Sequence, residues 1–331
     1  MGFVVQAVPF DDRGSPEGGV ASARQAIADP DVLCVVGHLI SSVTEAASVQ
    51  YHAAHLAMIS PSATNRQITQ AGYPEINRVV GRDDVQGVVG TGYAKSIGVQ
   101  SMYLVHEQTV YGRALVDVVR QAARELQIAI AGVTATGERE NFDAVIRPIL
   151  AARPDAVYFA GFYNPAGVFF KQLREQGYAG VLMGADGLDH PGLVELGGEE
   201  LLAGQGILYS AVAGPATFYP DAAGFVEAYT STYGDAPLPY AAQAYDAAGI
   251  CLEAIKVAIE EGSGELPTRE QVTTNVRDTE DYPGITGSLT FNAAGDLKTA
   301  KYFMIRVISA DPHKWSENEI EYSLDFSLPD Q

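Results

Sequence analysis

Two short stretches place small hydroxyls where they could hold an anion. After the apolar run Val32 to Gly37 comes His38-Leu39-Ile40-Ser41-Ser42-Val43-Thr44. Hydroxyls set just ahead of a helix, together with its first N–H groups, suit a carboxylate. Plain N-capping by Ser41 or Ser42 would use the same residues. After the run Ala57 to Ser60 comes Pro61-Ser62-Ala63-Thr64-Asn65, again rich in hydroxyls and without charge. Two later runs end differently. Gly161-Phe162-Tyr163-Asn164 presents aromatic rings, and Gly184-Ala185-Asp186-Gly187 presents one carboxylate between glycines. Asp186 could pair with a ligand ammonium or be a turn aspartate. Hydroxyls for an anion in one half and a carboxylate with rings in the other would together suit a zwitterion.

Other patterns carry less. Gly87-Val88-Val89-Gly90-Thr91-Gly92 has the wrong spacing for a dinucleotide loop and follows no strand. His106-Glu107 lacks the second histidine of a zinc-protease motif. His52 and His55 are helically spaced and could share a metal, but no carboxylate stands near them in sequence, so ordinary histidines are expected. Cys34 and Cys251 read as small buried hydrophobes; a disulfide between them is possible, with nothing in the sequence to require it. No nucleophile elbow or local cysteine-protease signature is present.

The elements that must position these residues alternate. Apolar strands are expected at Phe3 to Val8, Val32 to Gly37, Ala57 to Ser60, Ser101 to His106, Ile128 to Val133, Ala156 to Gly161, Val181 to Gly184 and Gly206 to Ala211. Between them lie amphipathic helices at Ser15 to Asp29, Ser42 to His55, Asp84 to Ile97, Gly112 to Leu126, Asn141 to Ala152 and Pro165 to Gly177. Ser15-Pro16-Glu17 is a start signal, a capping residue followed by proline at the first helical position. This alternation predicts α/β architecture with parallel-type sheets, and open sheets of that kind bind ligands at the carboxyl ends of their strands. Pro220 to Tyr233 and Tyr240 to Glu261 then read as consecutive helices, and Gly287 to Phe291 with Lys301 to Ile308 as a hairpin-like pair.

Composition narrows the function. The 331 residues suggest about two domains. With 41 acidic residues against 21 Lys plus Arg, the formal net charge is −20, which argues against nucleic acid or an anionic membrane surface as the main partner. No run of apolar residues is long enough to span a bilayer. The opening Met1-Gly2-Phe3-Val4-Val5 lacks the basic region and long apolar stretch of a signal peptide.

Taken in order, a set of segments resembles the periplasmic substrate-binding proteins of branched-chain amino acid ABC transporters, the leucine/isoleucine/valine-binding group with the type I periplasmic binding fold. The segments are Pro9 to Asp12, Val35 to Ser42, Met58 to Asn65, Gly81 to Gly87, Tyr111-Gly112, Tyr158 to Gly167, Met183 to Gly187, Tyr240 to Asp246 and Gly284 to Gly287. The resemblance implies two lobes, residues 1–82 plus 210–301 and residues 83–209 plus 302–331, joined by a hinge of several crossovers and closing on an amino acid. It implies that Ser41, Ser62 and Thr64 hold the ligand carboxylate. Asp186 then pairs with the ammonium, helped by the Ser62 carbonyl. Leu39, Tyr111, Phe162 and Tyr245 line the cleft, with Phe162 where the family often has tyrosine. It further implies no cofactor, no catalysis, an ABC permease as partner and a periplasmic or extracellular location. The same fold also serves ligand-sensing regulators and receptors of amides or amino acids, which the sequence does not separate from transport. Family members carry a further strand, loop and helix ahead of the segment matching Phe3 to Asp12. A chain without them is expected to have a less stable first lobe and weak binding.

Overall fold

A computed structural model describes residues 3–328. The chain divides into two compact units. Unit 1 comprises residues 1–81, 218–300 and 327–331, and unit 2 residues 82–217 and 301–326. Met1, Gly2 and Pro329 to Gln331, which the expected lobes include, lie outside the described residues.

Unit 1 is built on a parallel sheet of three strands in sequential order, β1 (Cys34–Val36), β2 (Ala57–Ser60) and β3 (Ile76–Arg78). Helices α1 (Pro16–Ala28), α2 (Ser41–Ala53) and the short α3 (Gln67–Gln70) come from the same stretch of chain. Ser15 caps α1 by accepting from the Gly18 N–H, with Pro16 next, as the start signal requires. Ala23, Ala26, Ala47, Tyr51, Leu56, Met58, Ile68 and Ile76 form the core of this layer.

Unit 2 opens with α4 (Asp83–Ser96) and contains β4 (Ser101–Glu107), α5 (Val110–Glu125), β5 (Ala129–Thr136), α6 (Asp143–Ala152), β6 (Ala156–Ala160), α7 (Tyr163–Glu175), β7 (Val181–Gly184), α8 (Gly192–Gly197) and β8 (Ile207–Ala211). Strands β4 to β8 pair in parallel in the order β8-β7-β6-β4-β5. β6, β7 and β8 are buried along their whole length, which is why they read as unbroken apolar runs. Gly87 lies inside α4, where a Cβ would meet Val118 of α5 at 2.7 Å. Gly87 thus permits close packing of α4 on α5.

The remaining elements are α9 (Ala223–Tyr233), α10 (Ala241–Glu261), α11 (Arg269–Arg277), β9 (Tyr282–Gly284), β10 (Gly287–Leu289), β11 (Thr299–Arg306) and β12 (Glu319–Ser327). α11 begins with a full capping box between Thr268 and Gln271.

Three expectations change. Phe3 to Val8 forms no strand; it is irregular and exposed, Val4 to 95%. Its apolar side chains have no strand partner among the described residues. The hairpin between Gly287 to Phe291 and Lys301 to Ile308 does not form. β10 pairs with β9, whereas β11 runs antiparallel to β8 in the large sheet with β12 on its other side. A single Phe291–Leu297 bridge closes the loop between them. Finally, Cys34 and Cys251 are bonded to each other, Cα to Cα 5.8 Å, tying β1 to α10. Among the described residues, no helix is long and apolar enough to cross a membrane.

Candidate functional site

In unit 1 the chain leaves the carboxyl ends of β1 and β2 in adjacent loops, and side chains stitch these loops together. Ser60 Oγ donates to the His38 carbonyl at 2.9 Å and accepts from the Ala63 N–H at 2.9 Å. Ser62 Oγ donates to the Leu39 carbonyl at 3.0 Å, and Ser41 Oγ accepts from the Asn65 N–H at 3.3 Å. The residue before α2 is Ile40, which has no side-chain cap. Ser41 therefore braces the second loop instead of capping its own helix. Ser62 commits its hydroxyl proton to Leu39, which leaves its Oγ lone pairs and its carbonyl as acceptors. Thr64 is buried in the same loop, and Leu39 is largely exposed at its rim. Tyr245 stands apart from this arrangement, on α10, half-exposed and packed on Phe225 of α9 at 5.1 Å between ring centroids. Its neighbour Asp246 accepts from the Ile285 and Thr286 N–H groups at 2.7 and 3.0 Å.

Two supports of these loops were not evident in the sequence. Arg78, fully buried at the end of β3, donates to the Ala63 carbonyl at 2.9 Å and to Thr69 Oγ1 at 2.8 Å. Its Nε lies 2.7 Å from Asp296. His38 lies between Asp12, 2.7 Å from Nδ1, and the Tyr51 hydroxyl, 3.0 Å from Nε2. Burial first, and the Asp12 charge second, raise the Tyr51 pKa, so its phenol stays protonated. A carboxylate on one side and a phenol donor on the other assign the proton of a neutral His38 to Nδ1. His52 and His55 do meet a carboxylate, contrary to expectation: buried Glu75 lies 2.7 and 3.3 Å from their Nδ1 atoms. Among the described residues, no three-ligand metal cluster forms.

In unit 2 the strand ends bring Tyr111, Phe162 and Asp186 together. Tyr111, in the first turn of α5, donates its hydroxyl to Asp186 Oδ1 at 2.8 Å and accepts from the Gly187 N–H at 3.1 Å. Its ring lies over Phe162 with centroids 5.6 Å apart. Burial, then the charges of Asp186 and Asp83, push the Tyr111 pKa well above its ordinary value, so it acts as donor to the carboxylate. Glu107, buried at the end of β4, accepts from the Phe162 N–H at 2.6 Å and from Arg139 at 2.5 Å, which fixes the loop carrying the second ring. A Cβ on Gly187 would lie 2.3 Å from the Gly161 carbonyl, so glycine is what lets the loops after β6 and β7 touch. Glu107 carried no signal in the sequence beyond a charge at the end of an apolar run.

Chemically, the unit 1 loops present hydroxyls and backbone groups at a helix start, and unit 2 presents a hydrogen-bonded carboxylate beside two rings. The first arrangement suits an anionic group and the second a cation, without a nucleophile–base pair at either.

Residues 1–312 match the model of a family described as periplasmic binding protein. An amino acid binding protein of Pseudomonas aeruginosa is 34% identical over 191 residues, 56% of this chain and 50% of that protein, so the chain spans about half of that relative's length. A leucine-specific-binding protein of Salmonella typhimurium is 30% identical over 299 residues, 88% of this chain and 76% of that one. The crystal structure of a leucine-binding protein, LivK, from Thermotoga maritima superposes with a TM-score of 0.84 at 25% identity, covering 95% of this chain and 86% of that one.

Proposed function

We propose, from the fact that this chain belongs to the periplasmic binding protein family, that it captures a small neutral amino acid, aliphatic or branched-chain, and delivers it to an ABC permease outside the cytoplasm. The observation that carries this reading is the Tyr111–Asp186 pair at the strand ends of unit 2. A carboxylate held by a phenol and a backbone-anchored turn is suited to the ammonium of an amino acid. The unit 1 loops are assigned to its carboxylate through Ser41 and Thr64, with Ser62, whose hydroxyl proton is held by Leu39, contributing backbone and its carbonyl to the ammonium. Leu39, Phe162 and Tyr245 are assigned to its side chain or to the rim. Charge-assisted hydrogen bonds of this kind contribute roughly 1.5–3 kcal/mol each, offset by ordering costs. The relatives named for leucine or amino acids support the ligand class. The Cys34–Cys251 disulfide supports an oxidising compartment. Capture by non-covalent contacts, without turnover, is the whole of the proposed activity.

A thermal-shift screen against the common amino acids tests the reading. Ligand at about 100 times its dissociation constant adds about 2.7 kcal/mol of stability, which a melting curve resolves. The expected result is stabilisation by leucine, isoleucine or valine that Asp186→Ala abolishes. Cooperative melting that no amino acid shifts would refute it.

A further inference from the structure

Three residues beyond Asp186, the turn that carries it ends in a second carboxylate with a different set of partners. Asp189 Oδ1 accepts from the Tyr209 hydroxyl on β8 at 2.9 Å and from the Trp315 indole N–H at 2.8 Å. The two donor rings lie nearly parallel, 8° apart, with centroids at 5.9 Å. The backbone N–H of Asp189 donates to the Asp186 carbonyl at 2.9 Å, closing the single turn Asp186–Leu188. Thus the residue that positions Asp186 is itself pinned to β8 and to the chain segment that follows β11.

We propose that Asp189 is a positioning residue for amino-acid capture, fixing the Asp186 turn through Tyr209 and Trp315 and exchanging a proton with solvent as the ligand ammonium comes and goes. The inference rests on Asp186 being the ammonium partner.

The physical basis is charge crowding in an enclosed site. The carboxyl group of Asp189 is enclosed, although the residue as a whole keeps some exposed surface. Burial pushes its pKa up to about 7; the Trp315 and Tyr209 hydrogen bonds oppose this, and the Asp186 charge adds to it. An ammonium beside Asp186 offsets that repulsion and favours ionised Asp189. By reciprocity, ionised Asp189 favours the ammonium. Binding therefore tightens as pH rises through about 7.

Two other groups beside Asp189 are shifted away from neutrality, and the exposed His313 is separated by substitution in the test below. His190 has its ring stacked on Tyr163 at 3.9 Å and its Nδ1 accepting from the Gly192 N–H, and burial lowers its pKa. Tyr209 is raised well above its ordinary value by burial and Asp189. On the turn carrying Trp315, His313, Lys314 and Glu317 are exposed.

Trp315 is the only tryptophan of the chain, so its emission reports on Asp189 directly. The test titrates this emission without ligand and with L-leucine, and measures leucine affinity by calorimetry at about pH 5.5 and about pH 8, where the free amino acid keeps both charges. The expected emission midpoint is near 7, preserved in His313→Gln, raised in Tyr209→Phe and absent in Asp189→Asn. Leucine is expected to lower the midpoint and to bind about fivefold or more tightly at the higher pH. Asp189→Asn is expected to hold the weaker affinity at both. A midpoint unchanged in Tyr209→Phe and Asp189→Asn, or lost in His313→Gln, overturns the proposal. Leucine binding equally at both pH values with an unmoved midpoint overturns the coupling but leaves the amino-acid reading intact. Leucine binding to no variant at any pH refutes both.

Discussion

Tyr111 and Asp186 meet at 2.8 Å although they lie 75 residues apart. The contact depends on parallel strands β4, β6 and β7 ending at one edge, so the pair is a property of the sheet. Replacing Tyr111 with Phe keeps the ring over Phe162 and removes only the donor to Asp186. We expect leucine affinity to weaken about three- to tenfold, in line with about 1 kcal/mol for one hydrogen bond. Calorimetry on wild type and Tyr111→Phe would decide it; equal dissociation constants would mean that the hydroxyl does not orient the carboxylate.

The Cys34–Cys251 bond closes a loop with a sequence separation of 217 and pins α10 to β1. Long-loop disulfides contribute about 2–5 kcal/mol, mostly by restricting the unfolded chain. Dithiothreitol, or the double change Cys34→Ala and Cys251→Ala, is expected to lower the melting temperature by several degrees. Identical melting of oxidised and reduced protein would show that the bond adds nothing to stability.

Arg78 and Asp296 form a fully buried ion pair that braces the Ser62–Thr64 loop from behind. Removing one partner of such a pair leaves an uncompensated charge, at a cost of about 3–5 kcal/mol. Asp296→Ala should therefore unfold at much lower urea than wild type. If its midpoint matched wild type, the pair would have to be solvated in the folded protein.

Asp189 also shapes stability against pH. Its folded pKa of about 7 lies above the ordinary aspartate value of 3.8, so between these limits the folded state holds a proton that the unfolded state has lost. Its contribution is then fully present below about pH 4, falls as pH rises, and is gone above about pH 7. Denaturation midpoints across that range should show a slope that Asp189→Asn flattens; an unaltered slope would place the titration elsewhere.

Much of this architecture was legible because burial on both faces leaves a plain mark. β6, β7 and β8 are unbroken apolar runs, and Ser15-Pro16 announces α1. The hydroxyl loops and Asp186 stood out because small polar residues follow such runs directly. What escaped were relationships made only by folding. β10 and β11 look like a hairpin by proximity, yet β10 folds back on β9 just before it and β11 pairs with β8, far away in sequence. Phe3 to Val8 is an apolar run like the true strands, but apolarity cannot supply a neighbour to pair with. The Glu107–Arg139, Asp189–Trp315 and Arg78–Asp296 contacts join residues 32 to 218 positions apart, and no local spacing encodes them.

The disulfide sets an order of events during biogenesis. Unit 1 is assembled from chain segments separated by the whole first part of unit 2. At about 5–20 residues per second, roughly 10–40 s pass between synthesis of Cys34 and synthesis of Cys251. Through that interval Cys34 is a solitary thiol, and the β1 edge waits for the helix that will cover it. These are the only cysteines among the 331 residues, so within them Cys34 has one intramolecular partner. Within these residues oxidation has one intramolecular product, and the competing outcome is a bond to another molecule.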